Sequence, residues 1–102
     1  MNNMICLVGR LVSDPEINET ENRKITNITL AVPRCYKNGD GIYETDFIPV
    51  RLWNSIGETT AEYCKKGDLI GVKGRLARLS GEDDLTIVAE KISFLASTNK
   101  ND

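Results

Sequence analysis

The sequence predicts an all-β fold, a five-stranded Greek-key barrel with one short helix between the third and fourth strands. Alternating apolar and polar residues recur along much of the 102-residue chain, and this period of two is typical of half-buried strands. Glycine, proline and asparagine separate these runs, as expected of turns. Only the segment after the third run changes to helical spacing.

Five segments have strand character, because each is rich in aliphatic or β-branched residues. In chain order they are Met4 to Val12, Ile25 to Tyr36, Tyr43 to Trp53, Leu69 to Leu79 and Leu85 to Leu95. Since side chains alternate across a strand, one face of each is expected to enter the core. The alternation slips near Gly74, which predicts a β-bulge in the fourth strand.

The connections between these strands carry their own signals. Asp14-Pro15-Glu16 ends the first strand, because proline has no backbone N–H to give to a ladder. The polar stretch from Asn18 to Lys24 is expected to be a loop. Lys37 to Gly41 and Ser80 to Asp83 are rich in turn-forming residues and predict two tight turns.

One helix is predicted from Ile56 to Lys66. Ser55 and Glu58 have the spacing of a capping box, and Gly67 suits a left-handed C-terminal cap. The order of three strands, one helix and two strands matches the barrel called the OB-fold. Other small barrels and α+β sandwiches share this order.

The chain length suits one domain. We expect residues 1–96 to form this single OB-fold domain. Residues 97–102 are expected to be a short polar C-terminal end that frays.

Composition excludes several classes of protein. The chain has no histidine, which removes the usual general base near neutral pH, and no glycine-rich phosphate loop or nucleophile elbow. Cys6, Cys35 and Cys64 are widely separated and form no CxxC pair. We therefore expect reduced thiols in a cytoplasmic protein, with no metal, no cofactor and no catalysis. No apolar run is long enough to span a membrane.

Net charge is −2 and the isoelectric point is about 5.2, which alone argues against a nucleic-acid binder. Acidic residues gather in predicted loops, however, while basic residues lie mostly in or beside strands. One face of the barrel is therefore expected to be positive. From charge alone, a mixed and solvated surface is an equal alternative.

The third predicted strand has two contrasting faces. One face is aliphatic and is predicted to enter the core through Ile48, Val50 and Leu52. The opposite face carries Phe47, Pro49, Arg51 and Trp53. A core face rarely holds an arginine between two aromatics, whereas unpaired nucleic acid requires aromatic rings interleaved with cations. The alternative is that Phe47 and Trp53 close the barrel or pack under a loop.

Other candidate binding residues lie on neighbouring strands. Tyr36 ends the second strand between Arg34 and Lys37. Lys73 and Arg75 are predicted to share one face of the fourth strand. These residues add a further aromatic ring and further cations to those on the third predicted strand.

With these residues in place, the chain resembles the bacterial-type single-stranded DNA-binding protein family over nearly its whole length. The resemblance rests on pieces that occur in the family's order and spacing: Leu7 to Leu11 with Asp14 to Glu16, Asn27 to Val32, Asp46 to Ile48 with Leu52-Trp53, Ala61 to Tyr63 with Lys65 to Gly67, and Gly71 to Leu76.

The resemblance implies sequence-independent binding of single-stranded DNA in replication, recombination and repair. It places base stacking on Tyr36, Phe47 and Trp53. It places backbone contacts on Arg10, Arg34, Lys37, Arg51, Lys73 and Arg75. It also implies a homotetramer, in which first strands pair between subunits and cover an exposed edge, and a cytoplasmic location with the nucleoid.

The chain departs from the family pattern in three ways. The loop between the fourth and fifth strands is short, and no aromatic stands between Arg75 and Leu85, so one stacking contact is expected to be missing. The 102 residues do not include the acidic recruiting tail that is typical of the family, so we expect no tail-mediated recruitment of replication and repair proteins unless the natural chain is longer. Pro49 and Arg51 replace what is more often a polar and an aliphatic residue.

Three alternative functions remain open from the sequence. The first is a dimeric accessory subunit of replication restart with the same fold. The second is an OB-fold module whose aromatic face binds protein or polysaccharide. The third is RNA binding, because stacking and phosphate contacts do not themselves exclude RNA.

Overall fold

The computed structural model describes residues 1–20, 23–79 and 81–97, and within these ranges the chain forms six strands and one helix. The strands are β1 (Ile5–Leu11), β2 (Glu16–Thr20), β3 (Arg23–Lys37), β4 (Tyr43–Trp53), β5 (Leu69–Arg78) and β6 (Leu85–Ala96), and the helix is α1 (Asn54–Tyr63). No helix in this part of the chain has the length and apolar character needed to cross a membrane. Of the predicted polar end, 97–102, only Ser97 lies within the described residues.

Five of the strands close into a barrel. The sheet runs in the order β1-β5-β6-β4-β3-β2, and β1 also pairs with β3. Strands β4 and β6 run parallel, and the other pairs are antiparallel. The helix lies between β4 and β5, which are the third and fourth barrel strands. The predicted five-stranded barrel with one helix is confirmed.

Strand β2 is a correction to the sequence prediction. Residues Glu16–Thr20 form a strand, and β3 begins at Arg23, whereas Asn18 to Lys24 was expected to be a loop. Every residue of β2 is exposed, and its pairing runs from Glu16↔Asn27 to Thr20↔Arg23 along the outer edge of β3. Because β2 buries neither face, its sequence has no apolar alternation to reveal it. Glu21 and Asn22 lie outside the described residues.

The ends of the helix also differ from prediction. It begins at Asn54 rather than Ile56 and has no side-chain cap, so the predicted capping box at Ser55 is wrong. It ends at Tyr63 because Cys64 has extended backbone and is buried in the core. Gly67 has a positive φ of 91°, but it lies in the turn before β5 and not at the helix end.

The barrel core is built from the predicted inward faces. On β4, Val50 and Leu52 are fully buried and Ile48 is partly buried against the core, so the aliphatic face is confirmed. The remaining buried apolar residues come from β1, β3, β5, β6 and the segment after α1: Leu11, Ile28, Leu30, Cys64, Ile70, Val72, Val88 and Ala89.

Two glycines allow backbones to approach closely. Strand β1 leaves β5 and joins β3 near Gly9, where a Cβ would lie 2.7 Å from the Ala31 carbonyl oxygen. The β5–β6 register shifts between Lys73 and Gly74, near the predicted position, but the additional residue is Glu90 of β6 and not a residue of β5. A Cβ on Gly74 would overlap the carbonyl oxygen of Val88. Barrel closure and the bulge therefore each require a residue without a side chain.

The cysteines are free thiols in two environments. Cys6 and Cys35 are exposed, and Cys64 is buried. Burial raises the pKa of the Cys64 thiol, and the nearby Asp68 carboxylate raises it further. Cys64 is therefore a small core side chain rather than a reactive thiol.

Gly74→Ala is expected to lower the free energy of unfolding by about 1–3 kcal/mol, because the added methyl group forces the β5–β6 backbones apart. Urea unfolding followed by circular dichroism measures this loss. Gly39→Ala is the matched control, since nothing lies within 4 Å of a Cβ built there. Equal stability of the two variants would show that β6 moves aside at no cost.

Candidate nucleic-acid interface

The outer face of β4 presents the predicted row of rings and cations. Phe47, Pro49, Arg51 and Trp53 all point away from the core, because they alternate with its buried residues. Across β3 their partners are Ala31, Thr29, Asn27 and Ile25. The small Ala31 leaves Phe47 standing clear, with 65 % of its surface exposed. From Phe47 to Trp53 the strand runs about 20 Å, at about 3.3 Å per residue.

Trp53 lies at the end of this row and is half-buried. The Arg23 guanidinium carbon lies 5.5 Å from the centroid of the indole ring, in cation–π contact. Arg23 is a cation of the site that sequence reasoning missed, because the segment before Ile25 was assigned to a loop. The sequence signal for this cation is the Arg23-Lys24 pair, which stands directly before the apolar alternation of β3.

Tyr36 stands apart from the β4 row, on the hairpin arm formed by the ends of β3 and β4. The β3 residues from Pro33 to Lys37 are all exposed, and the Tyr36 side chain is 58 % exposed. The side chain of Asn38 stabilises the turn, since its Oδ1 accepts hydrogen bonds from the backbone N–H groups of Asp40 and Ile42. The predicted turn at this position is confirmed.

The two cations of the arm already have partners. Arg34 donates hydrogen bonds of 3.2 and 3.0 Å to Asp46 and lies 3.5 Å from Glu44. The hydrogen bond from Arg34 lowers the pKa of the Asp46 carboxyl. The Lys37 ammonium lies 5.7 Å from the centroid of the Tyr43 ring. Both side chains are exposed, so a phosphate can reach them by exchanging partners.

Arg51, Arg75 and Arg10 are also engaged. Arg51 lies 2.8 Å from Glu82, and Arg75 lies 3.4 Å from Glu90. Arg10 donates a 3.0 Å hydrogen bond to the carbonyl oxygen of Gly67, so it belongs to the turn before β5.

Lys73 is a predicted cation that lies on a strand not adjacent to β4. It stands on β5 between Cys6 of β1 and Lys91 of β6, and β6 separates β5 from β4. Its exposed ammonium has no ion pair among the described residues. Lys73 and Arg75 both lie on the outer face of β5, because both are exposed and Gly74 between them is buried.

A cleft of about 390 Å³ lies between the β3–β4 face and the β5–β6 hairpin. Pro49 and Arg51 line one side, and the exposed Leu76 and Leu85 line the other. The two leucines supply apolar contact at the short hairpin, where the sequence has no aromatic. The cleft leaves no local pattern in the sequence, because it forms between strands that are distant in the chain.

The side chains on this surface are suited to binding a ligand. Exposed rings can stack on planar ligands, and arginine and lysine side chains can contact phosphates. Across residues 1–20, 23–79 and 81–97, no group of three His, Cys, Asp or Glu side chains could hold a metal ion.

The chain is similar to known proteins in sequence. A profile of the single-strand binding protein family matches residues 2–95. Single-stranded DNA-binding protein B of Bacillus subtilis is 39% identical over 99 residues, which cover 96% of this chain and 88% of that protein. Single-stranded DNA-binding protein 1 of Clostridium acetobutylicum is 39% identical over 102 residues, covering 91% of this chain and 93% of that protein.

The fold is similar to a solved structure as well. The wild-type single-stranded DNA binding protein from Thermus aquaticus superposes with a TM-score of 0.79 and 26% sequence identity. The superposition covers 96% of this chain and 52% of that chain. This chain therefore spans about half the length of that solved relative.

Trp53→Ala is expected to weaken binding of single-stranded DNA by roughly 1–3 kcal/mol, the value of one base stacked on an aromatic ring. The dissociation constant is measured by fluorescence anisotropy of a labelled oligo-dT, and thermal unfolding checks the fold. Tyr63→Ala is the control, because Tyr63 is an exposed aromatic on α1. A collapse of the unfolding temperature in Trp53→Ala alone would assign Trp53 to the core instead.

Proposed function

This chain belongs to the single-strand binding protein family, and from this premise we propose that it coats single-stranded DNA without sequence preference during replication, recombination and repair. As a member of this family it is a binding protein and not an enzyme. The observation that carries the proposal is the outer face of β4, where Arg51 lies between the aromatic rings of Phe47 and Trp53.

Base stacking supplies the sequence-tolerant part of the binding. We assign it to Phe47 and Trp53 on β4 and to Tyr36 on the arm. Every base has a π-face, so a row of rings binds any sequence, at roughly 1–3 kcal/mol per base. In a duplex the bases are already stacked and paired, so these rings favour a single strand.

Cationic side chains supply the electrostatic part. We assign phosphate contacts to the predicted set, Arg10, Arg34, Lys37, Arg51, Lys73 and Arg75, and add Arg23 from its contact with Trp53. Phosphate contacts carry no direct sequence information. They release counterions, so affinity should fall as salt rises.

The acidic net charge is seen in the structure as carboxylates that lie beside several of these arginines. Glu44 and Asp46 lie beside Arg34, and Glu90 lies beside Arg75. A phosphate that binds such an arginine exchanges one anion for another. Stacking then contributes a larger share of the affinity than in a strongly basic protein.

We propose that the chain assembles as a homotetramer through β1. Strand β1 pairs with β5 from Ile5 to Arg10 but with β3 only at Arg10 and Leu11. Within the described residues, the first part of β1 thus keeps one free edge. The Val8 side chain beside that edge is 54 % exposed. Pairing with a second β1 would cover the edge and add apolar burial to a small core.

We place the protein in the cytoplasm with the nucleoid, where single-stranded DNA arises, and take residues 1–96 as the binding domain followed by the polar end at 97–102. We take replication and repair proteins as its partners in this setting, because they act on the same single-stranded DNA.

Oligo-dT is expected to quench the fluorescence of Trp53, the single tryptophan, while a duplex of equal length has little effect. The titration is repeated at two salt concentrations, and higher salt should weaken binding because phosphate contacts release counterions. Oligo-U of the same length measures the preference for DNA over RNA. Absence of any response to oligo-dT or to oligo-U would exclude single-strand binding.

Light scattering is expected to give four times the mass of the single chain. Val8→Lys should lower the measured mass, since it places like charges together at a paired β1 edge. Ile17→Lys is the matched control, because Ile17 is exposed on β2 and lies away from β1. A mass of two chains would favour the dimeric accessory subunit, and a monomer would contradict assembly through β1.

A further inference from the structure

The Arg51–Glu82 ion pair lies within the proposed DNA-binding row. The Arg51 guanidinium is directed from β4 to the carboxylate of Glu82, which stands in the connection between β5 and β6 at 2.8 Å. The two side chains are 30 % and 36 % exposed. Of the five ion pairs recorded among the described residues, this one is the least exposed.

The backbone holds Glu82 in this position. Its N–H donates a 3.0 Å hydrogen bond to the carbonyl oxygen of Leu79, and Gly81 beside it has a φ of 82° that favours glycine. Arg78 also donates a hydrogen bond to the carbonyl oxygen of Asp83. These hydrogen bonds tie the segment from which the Glu82 carboxylate reaches Arg51 to the end of β5.

A carboxylate on this arginine occupies the place that a phosphate would take. Both anions accept hydrogen bonds from the guanidinium fork in similar geometry. Arg51 also lines the cleft between Pro49 and the leucines of the β5–β6 hairpin. A strand that crosses β4 from Phe47 to Trp53 passes Arg51, so its phosphate meets Glu82 at the same cation.

We propose that Glu82 is a built-in competitor of the DNA phosphate at Arg51, and that it sets the affinity of the site for single strands. This inference rests on the proposed function. Binding displaces the Glu82 carboxylate into water, and release of the strand restores the ion pair. The cost of breaking the ion pair is subtracted from every binding event, which keeps the complex reversible.

The size of the effect follows from the exposure of the pair. Partly exposed ion pairs are worth roughly 0.2–1 kcal/mol, which corresponds to a factor of roughly 1.5 to 5 in a dissociation constant. Glu82→Gln removes the charge and keeps the shape of the side chain. It should tighten oligo-dT binding by that factor.

The test compares dissociation constants for labelled oligo-dT by fluorescence anisotropy. Glu62→Gln is the matched control, because it makes the same change of net charge at an exposed position on α1. The third protein carries Arg51→Gln, and the fourth carries Arg51→Gln together with Glu82→Gln. Thermal unfolding of each variant confirms that it is folded.

The expected result is tighter binding by Glu82→Gln than by Glu62→Gln, with no gain when Arg51 is already replaced. An equal gain in the two single variants would reduce the effect to net charge and overturn the proposal. Weaker binding by Glu82→Gln would also overturn it, because Glu82 would then orient Arg51 for DNA. Failure of the unmodified protein to bind oligo-dT is a separate outcome that contradicts the proposed function itself.

Discussion

The structure depends on the closure of the barrel where β1 passes from β5 to β3. Gly9 lies at that crossing, and Arg10 pairs with both Leu69 and Ala31. Closure converts an open sheet into a barrel whose inner face is filled by aliphatic side chains. The same crossing ties down the segment after the helix, because the Gly67 N–H donates a 2.8 Å hydrogen bond to the carbonyl oxygen of Leu11.

Once the barrel is closed, the outward side chains of each strand are fixed in direction. On β4 the buried Val50 and Leu52 force Arg51 and Trp53 to the outside, so the core defines the binding face. The helix adds little apolar burial and begins directly after Trp53. The arm beyond Pro33 leaves the barrel and carries Tyr36 into solvent, which separates Tyr36 from the row on β4. Outward-facing rings on a barrel strand and an exposed arm suit a flexible ligand.

Electrostatics on this face are balanced rather than strongly positive. Arg34, Arg51 and Arg75 each lie beside a carboxylate, so the barrel offers cations that are already partly neutralised. A DNA strand gains less from such cations than from free ones, because every new contact replaces an old one. Reversible coating benefits from this balance, since a coat must leave the strand when other proteins act on it.

The sequence by itself determined the five barrel strands, the inward face of β4 and the outward row from Phe47 to Trp53, because the period of two is local and sets the direction of every side chain. The tertiary structure decided what each outward residue meets. Strand β2 has no buried face, so its sequence shows no alternation of apolar and polar residues. The helix ends before Lys66 because Cys64 is buried in the core. The meeting of Arg51 with Glu82, like the distance of Lys73 from β4, follows from strand order and register. Strand order and register depend on pairing between segments that are distant in the chain, and the local alternation of residues does not specify that pairing.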